Sequence, residues 1–309
     1  MRKRRLLAIV LPIVLLAGGA VLWTPDLDRS VLEERYLANR ADLRPIAGAM
    51  LHVRDTGPRS APALIMLHGF GSSLHTWEPW ARALDSSFRV IRFDLPGSGL
   101  SAPDAMDDYT DARSLTVLTA LMDSLGVPRA TLIGNSMGGR IAWRFAAAHP
   151  ERVDKLVLSA PDGFASPGFV YGKAAEVPVT MTLMRRVLPK ALLRMSLAPA
   201  YNDAERVMTD SLVMRYYDLM LAPGARDALL GRMRQTVLTD PVPDLRRIQN
   251  PTLLVWGEKD AMIPITNAAD YLRVMPHAQL VSFPNVGHLP FEEIPLVALQ
   301  PVRAFLARP

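Results

Sequence analysis

Short apolar runs recur along the chain, at residues 64–67, 88–93, 130–133, 155–158, 252–256 and 279–283. They are continuous rather than alternating, which is the pattern of strands buried on both faces. Between them the apolar period lengthens to that of a helix, as at residues 112–125 and 141–148. Strand alternating with helix predicts an α/β fold with a parallel sheet covered on both sides. Met50-Leu51-His52-Val53 adds a further strand-like segment. No internal repeat or low-complexity tract interrupts the pattern. At 309 residues the chain is long enough for a complete α/β core and an insertion.

One junction in this pattern carries chemistry. The run at 130–133 leads into Gly134-Asn135-Ser136-Met137-Gly138, with Gly139 directly behind, and then into the helical segment at 141–148. A G-x-S-x-G turn between strand and helix is a nucleophile elbow, and it presents Ser136 at the mouth of the sheet. Glycines on both sides allow the sharp turn. Serine is a weak nucleophile unless a base activates it and a third group orients the base. Of the six histidines, His288 alone lies late in the chain, in a loop between the last strand and a terminal helix, where a base is expected in the order Ser, acid, His. The acid is expected after the strand at 252–256. Asp260 is the first candidate there, Glu258 the second, and Asp162 after an earlier strand the third.

Acyl transfer also needs donors for the developing oxyanion. The backbone N–H of Met137, next after the nucleophile, is one. The backbone N–H of Phe70, in the His68-Gly69-Phe70-Gly71 loop after the strand at 64–67, is the other. His68 reads as an anchor of that loop.

These motifs, together with Phe93-Asp94-Leu95-Pro96-Gly97-Ser98-Gly99-Leu100-Ser101 and Gly287-His288, resemble the α/β-hydrolase fold superfamily, specifically its capped, lipase- or esterase-like members. The resemblance spans roughly residues 51–306. It implies an eight-stranded, mostly parallel sheet, a helical cap inserted after the sixth strand, and no cofactor or metal. Branches that carry Asp at the elbow are set aside, since Ser136 stands there. Carbon–carbon bond hydrolases of the fold share Gly-Asn-Ser-Met-Gly-Gly and stay open. They often place an aromatic residue after the histidine, whereas Leu289-Pro290 follows His288, as in many esterases and lipases.

The core is expected over residues 46–161 and 251–309, with the cap over 162–250. The cap segment loses the strand period and holds seven of the fifteen methionines. Methionine fills irregular apolar space, so Met181 and Met184, with Leu183, are candidates for an acyl pocket. Tyr171, Tyr201, Tyr216 and Tyr217 could add polar handles at its edge.

The amino terminus changes the picture of location. Arg2-Lys3-Arg4-Arg5 precedes 18 residues without a charge, 6–23, ending at Trp23. As a helix this stretch rises about 27 Å, close to the thickness of a bilayer core. Residues 1–23 are therefore expected to be a signal anchor, with a cleaved signal, and so a secreted protein, as the alternative. The basic block stays cytoplasmic, so the catalytic domain is extracytoplasmic. Residues 24–45, charged and weakly amphipathic, read as a stalk whose short helix is expected to be solvated. The net charge is +5, and residues 2–5 supply four of it. The remainder is nearly neutral, and no basic patch points to nucleic acid. The absence of cysteine excludes disulfides and thiolate metal sites.

The expected function is a serine hydrolase that cleaves carboxylic esters, acting on an apolar small molecule or a lipid. The alternatives are carbon–carbon cleavage in a dienoic keto acid, for which Arg140 or Arg185 would have to meet the acidic substrate, and a non-catalytic binding protein.

Overall fold

In the computed structural model, residues 22–165, 170–174 and 176–308 are described. Eight strands form one sheet: β1 (Leu43–Ile46), β2 (Ala49–Thr56), β3 (Ala63–Leu67), β4 (Arg89–Phe93), β5 (Ala130–Asn135), β6 (Val153–Ser159), β7 (Thr252–Gly257) and β8 (Gln279–Phe283). Their order across the sheet is β1-β2-β4-β3-β5-β6-β7-β8. The first two pairings, β1 with β2 and β2 with β4, are antiparallel, and the rest are parallel. All six apolar runs are strands, and the sheet is the expected eight-stranded, mostly parallel one.

Successive side chains of a strand point to opposite faces, so each central strand feeds two cores. Ile65 and Leu67 of β3, Leu132 of β5 and Leu254 of β7 enter one core. Leu64 and Met66 of β3, Ile133 of β5 and Val255 of β7 enter the other. The helices that close these faces are α1 (Arg29–Tyr36), α2 (Glu78–Leu84), α3 (Asp111–Ser124), α4 (Met137–Ala148), α11 (Thr266–Val274), α12 (Pro290–Glu293) and α13 (Pro295–Leu306). Helices α3, α4 and α11 cover the first core, and α2 and α13 cover the second. Between β6 and β7 lie six more helices: α5 (Val179–Thr182), α6 (Lys190–Leu197), α7 (Ala204–Val207), α8 (Asp210–Met220), α9 (Ala225–Gln235) and α10 (Val242–Leu245). This insertion packs over the strand ends that carry the functional loops. Arg232 of α9 donates to the Pro96 carbonyl, and the Ala200 carbonyl accepts from the His288 N–H.

Two expectations need correction at the amino-terminal side. The sheet begins at Leu43, inside the expected stalk, because β1 pairs with β2 through a turn at Ala47-Gly48, both at positive φ. Helix α1 is docked rather than solvated. Leu32 is fully buried against Leu100, Leu219 and Ala222, and the Arg35 and Tyr36 side chains both donate to Asp218. The expected membrane segment, residues 1–23, lies outside the described residues except for Leu22 and Trp23, which are exposed. Among the described residues no helix is long and apolar enough to cross a membrane.

Buried histidines set an acid limit on this fold. Burial pushes the His75 imidazole down to about 4 and lowers that of His68 as well. Both are neutral in the folded chain, and both would take up a proton on unfolding below the ordinary value of 6.5. The contribution of His75 is complete above that value and is lost as pH falls through about 4, roughly 3 kcal/mol, and His68 acts in the same direction. Asp94, held at about 2 against the cost of its burial by the hydrogen bond from His52, acts only at lower pH. We predict that the urea midpoint falls steeply between pH 6.5 and 4 and that His75→Gln flattens this slope. An unchanged slope in that variant would remove His75 from the account.

Candidate active site

The site is built on a backbone crossing. Ser136 sits at φ 52°, ψ −120°, a conformation that non-glycine residues rarely adopt and that costs about 1–3 kcal/mol. Its surroundings hold it there. The Ser136 N–H donates to the Ser159 carbonyl at 3.0 Å, and the Ser136 carbonyl accepts from the Arg140 and Asp162 N–H groups. The glycines of the motif are required by contact. A Cβ on Gly134 would lie 2.4 Å from the Gly138 carbonyl oxygen, and one on Gly138 would lie 2.3 Å from the Leu67 carbonyl oxygen. One on Gly139 would meet Pro161 at 2.9 Å. With these side chains absent, β5, the turn and α4 nest against the end of β3.

The base and its acid are paired. His288 Nδ1–H donates to Asp260 Oδ2 at 2.7 Å, and both side chains are buried. Asp260 Oδ1 accepts the N–H groups of Met262 and Ile263, each at 2.8 Å, so the carboxylate cannot rotate away. With Nδ1 occupied by Asp260, Nε2 is the nitrogen left to act as base. Ser136 Oγ makes no hydrogen bond to His288 within 3.5 Å. Asn135 brings the two segments together instead: its Nδ2 donates to the Ser159 carbonyl and, at 3.4 Å, to that of His288. Such nucleophile–base contacts often tighten only when substrate binds. The two reserve acids are occupied elsewhere. Glu258 accepts from Ser282 on the surface, and Asp162 pairs with Arg140.

The loop after β3 lies against the nucleophile. A Cβ on Gly69 would come 3.4 Å from Ser136 Cβ. Among the described residues neither the Phe70 nor the Met137 N–H donates to any protein acceptor, which leaves both available for an oxyanion. His68 fixes the loop from behind. Its Nδ1–H donates to the Gly69 carbonyl, and its Nε2 accepts the Leu95 N–H. Asp94 braces the next turn, accepting from His52 and from the N–H groups of Leu74 and Leu100.

Sequence reading missed the residue that ties these loops to the insertion. Glu292, four positions after His288, accepts from Thr76 (2.7 Å), Tyr201 (2.5 Å), Arg215 (2.7 Å) and Tyr216 (3.2 Å). Tyr216 also contacts Ser72 of the oxyanion loop at 3.4 Å, and burial pushes its hydroxyl up to about 12. Neighbouring Glu293 accepts the Gly287 N–H and steadies the turn before the histidine. Beside the oxyanion loop is a cavity lined by Gly71, Ser72, Gly97, Tyr216, Leu219 and Met220, with about 20 Å³ of open volume, room for one water. Neither Met181 nor Met184 lines it. Met181 is exposed, and Met184 lends its carbonyl to Arg226. Met220, on a long helix facing the loop, takes the place expected of them.

Residues 62–295 match the family model described as alpha/beta hydrolase fold. The chain is 33% identical over 249 residues to a 2-hydroxy-6-oxononadienedioate/2-hydroxy-6-oxononatrienedioate hydrolase of Pseudomonas putida, covering 77% of this chain and 85% of the relative. The solved structure of a membrane phospholipase A superposes with a TM-score of 0.72 at 25% identity, covering 98% of both chains. A meta-cleavage product hydrolase from Pseudomonas fluorescens IP01 gives 0.72 at 24% identity, covering 86% of this chain and 98% of the other, and shows the shared fold.

The elbow strain predicts opposite effects on activity and stability. Ser136→Gly should abolish turnover yet raise unfolding stability by about 1 kcal/mol, since glycine adopts this backbone freely. Ser136→Ala should abolish turnover without that gain, and melting curves of the two variants compare them. Asp260→Asn should leave the melting temperature nearly unchanged while kcat falls by about 10⁴, through loss of the correct histidine tautomer.

Proposed function

The chain belongs to the alpha/beta hydrolase fold family, and we propose that within it the protein is a serine hydrolase that cleaves apolar carboxylic esters. The observation that carries the reading is the Asp260–His288 pair near a strained, half-buried serine flanked by two N–H groups without a partner among the described residues. His288 Nε2 takes the Ser136 proton as Oγ bonds to the ester carbonyl carbon. Charge collects on the carbonyl oxygen, where the Phe70 and Met137 N–H groups would receive it. The tetrahedral species collapses, the C–O bond to the alcohol breaks, and His288 returns the proton to the leaving oxygen. Water then attacks the acyl-enzyme through the same histidine, releasing the acid and restoring Ser136.

A neutral substrate is favoured by where the cations are committed. Arg140 pairs with Asp111 and Asp162, Arg185 with Asp227, and Arg215 with Glu292. Among the described residues no cation lines the cavity beside the oxyanion loop, whose α8 face offers Tyr216, Leu219 and Met220. The 98% coverage shared with a membrane phospholipase A supports an ester in the same direction.

A second reading rests on the curated relatives, which favour it over an ester. They are hydrolases of dienedioates and of 2-hydroxy-6-oxo-6-phenylhexa-2,4-dienoate, and the second reading is cleavage of the carbon–carbon bond beside the keto group of such an acid. The complete Ser136, Asp260 and His288 set stands against a purely binding role.

We also propose that residues 1–23 anchor the protein in a membrane, with the catalytic domain on the extracytoplasmic side, on the strength of the basic block and the uncharged stretch behind it.

The deciding experiment compares the full chain, in detergent, with its Ser136→Ala variant on two substrate sets: p-nitrophenyl esters from short to long acyl chains, and a 2-hydroxy-6-oxo-dienoic acid followed by loss of its visible absorbance. Serine-dependent ester turnover well above dienoate turnover is expected. The reverse ranking would transfer the assignment to carbon–carbon cleavage.

A further inference from the structure

The insertion carries apolar side chains where a soluble surface would carry polar ones. Val179 is 83% exposed, Leu183 62%, Leu192 55% and Met195 71%. Val179 and Leu183 are four apart along α5 and the turn that extends it, and Leu192 and Met195 are three apart on α6, so each pair shares a helical face. From Pro178 to Leu197 the chain contains four cations, Arg185, Arg186, Lys190 and Arg194, and no carboxylate. Of these, Arg185 is paired with Asp227, while Arg194 only reaches Asp210 at 3.9 Å. Exposed apolar side chains beside cations, of which Arg186 and Lys190 have no carboxylate partner among the described residues, are the composition of a surface that rests on anionic lipid.

Its position strengthens the reading. The first described residues run along this same segment. The Thr24 N–H donates to the Arg186 carbonyl at 2.7 Å, and Thr24 Oγ1 accepts the Leu188 N–H at 3.1 Å. The Arg186 guanidinium lies 5.4 Å from the centre of the Trp23 ring. Buried Arg226 donates to the carbonyls of Thr24 and Met184 and to Asp26, fastening all three together. Beside this clamp is a polar hollow of about 120 Å³, lined by Arg185, Arg186 and Arg226 against Asp26 and Asp227. Trp23 and Thr24, directly after the uncharged stretch of the sequence, therefore lie against this apolar and cationic segment.

We propose that the segment from Pro178 to Leu197 docks on the surface of an anionic lipid bilayer, with Arg186, Lys190 and Arg194 toward the lipid headgroups. The inference rests on the membrane anchor proposed above. It adds that the domain does not hang free from the anchor but lies with its insertion against the lipid.

The absence of cysteine makes the test direct, since single cysteines can be labelled in the full chain. Leu183→Cys, Leu192→Cys and Met195→Cys would each carry an environment-sensitive fluorophore, with Glu151→Cys, at the opposite ends of the strands, as the control. The full chain is reconstituted into phosphatidylcholine vesicles with and without phosphatidylglycerol. Flotation with the vesicles reports the anchor, and the labels report docking. Docking predicts a blue shift and loss of emission to lipid-borne nitroxides at positions 183, 192 and 195, stronger with phosphatidylglycerol, and neither effect at 151. Lys190→Gln and Arg194→Gln should each lower the docked fraction relative to the undocked about fivefold in the anionic vesicles. Labels that stay in water while the chain floats would overturn docking and leave the anchor standing. A blue shift without lipid quenching would assign the face to a second copy of the chain and overturn the proposal. A chain that does not float would overturn anchor and docking together.

Discussion

Everything at this site depends on three backbones passing closer than side chains allow. The end of β3, the turn after β5 and the first residues of α4 touch through carbonyl oxygens and bare Cα atoms at Gly134, Gly138 and Gly139. That contact sets the unusual backbone of Ser136, and so the direction of its hydroxyl. It also fixes the distance from the serine to the loop that carries Phe70. The strain is maintained by the two buried cores on either side of the sheet, which are large enough to hold one residue in an unfavourable well. The precision of the catalytic serine is thus a property of the packing of the whole sheet.

Much of this was legible in the sequence, for identifiable reasons. Central strands are buried on both faces, and five of them appear as plain apolar runs, the sixth run being the half-exposed edge strand β8. The elbow was legible because its glycines are steric requirements, and His288 and Asp260 because each follows a strand in the required order. Other features left a weaker trace. Strand β1 is only four residues, includes Pro45, and lies at the sheet edge, where no apolar run is demanded. Helix α1 reads as solvated because a single side chain, Leu32, carries its buried contact, while Arg29, Arg35 and Tyr36 bind through polar atoms. The methionines of the insertion could not be sorted into inward and outward ones, since its short helices turn too often for a period to show.

The buried polar groups divide into two systems with different purposes. Around Asp94, a carboxylate, two histidines and two backbone N–H groups stiffen the base of the oxyanion loop within the core. Around Glu292, a single carboxylate gathers donors from the core, from the turn before α7 and from α8. The first system shapes the loop, and the second decides what lies above it. Arg140 and Arg215 are each held in an ion pair within this architecture.

The Glu292 cluster has a consequence for how the protein works in time. The space beside the oxyanion loop is lined from above by Tyr216, Leu219 and Met220, so any movement of the insertion that widens it must shift α8. Lifting α8 withdraws Arg215 and Tyr216 together from a carboxylate that is otherwise shut away from solvent. A half-raised insertion would strand that charge, which is costlier than either end state. One glutamate thus couples the position of α8 to the loop that carries the histidine, since neither can shift without Glu292 changing partners.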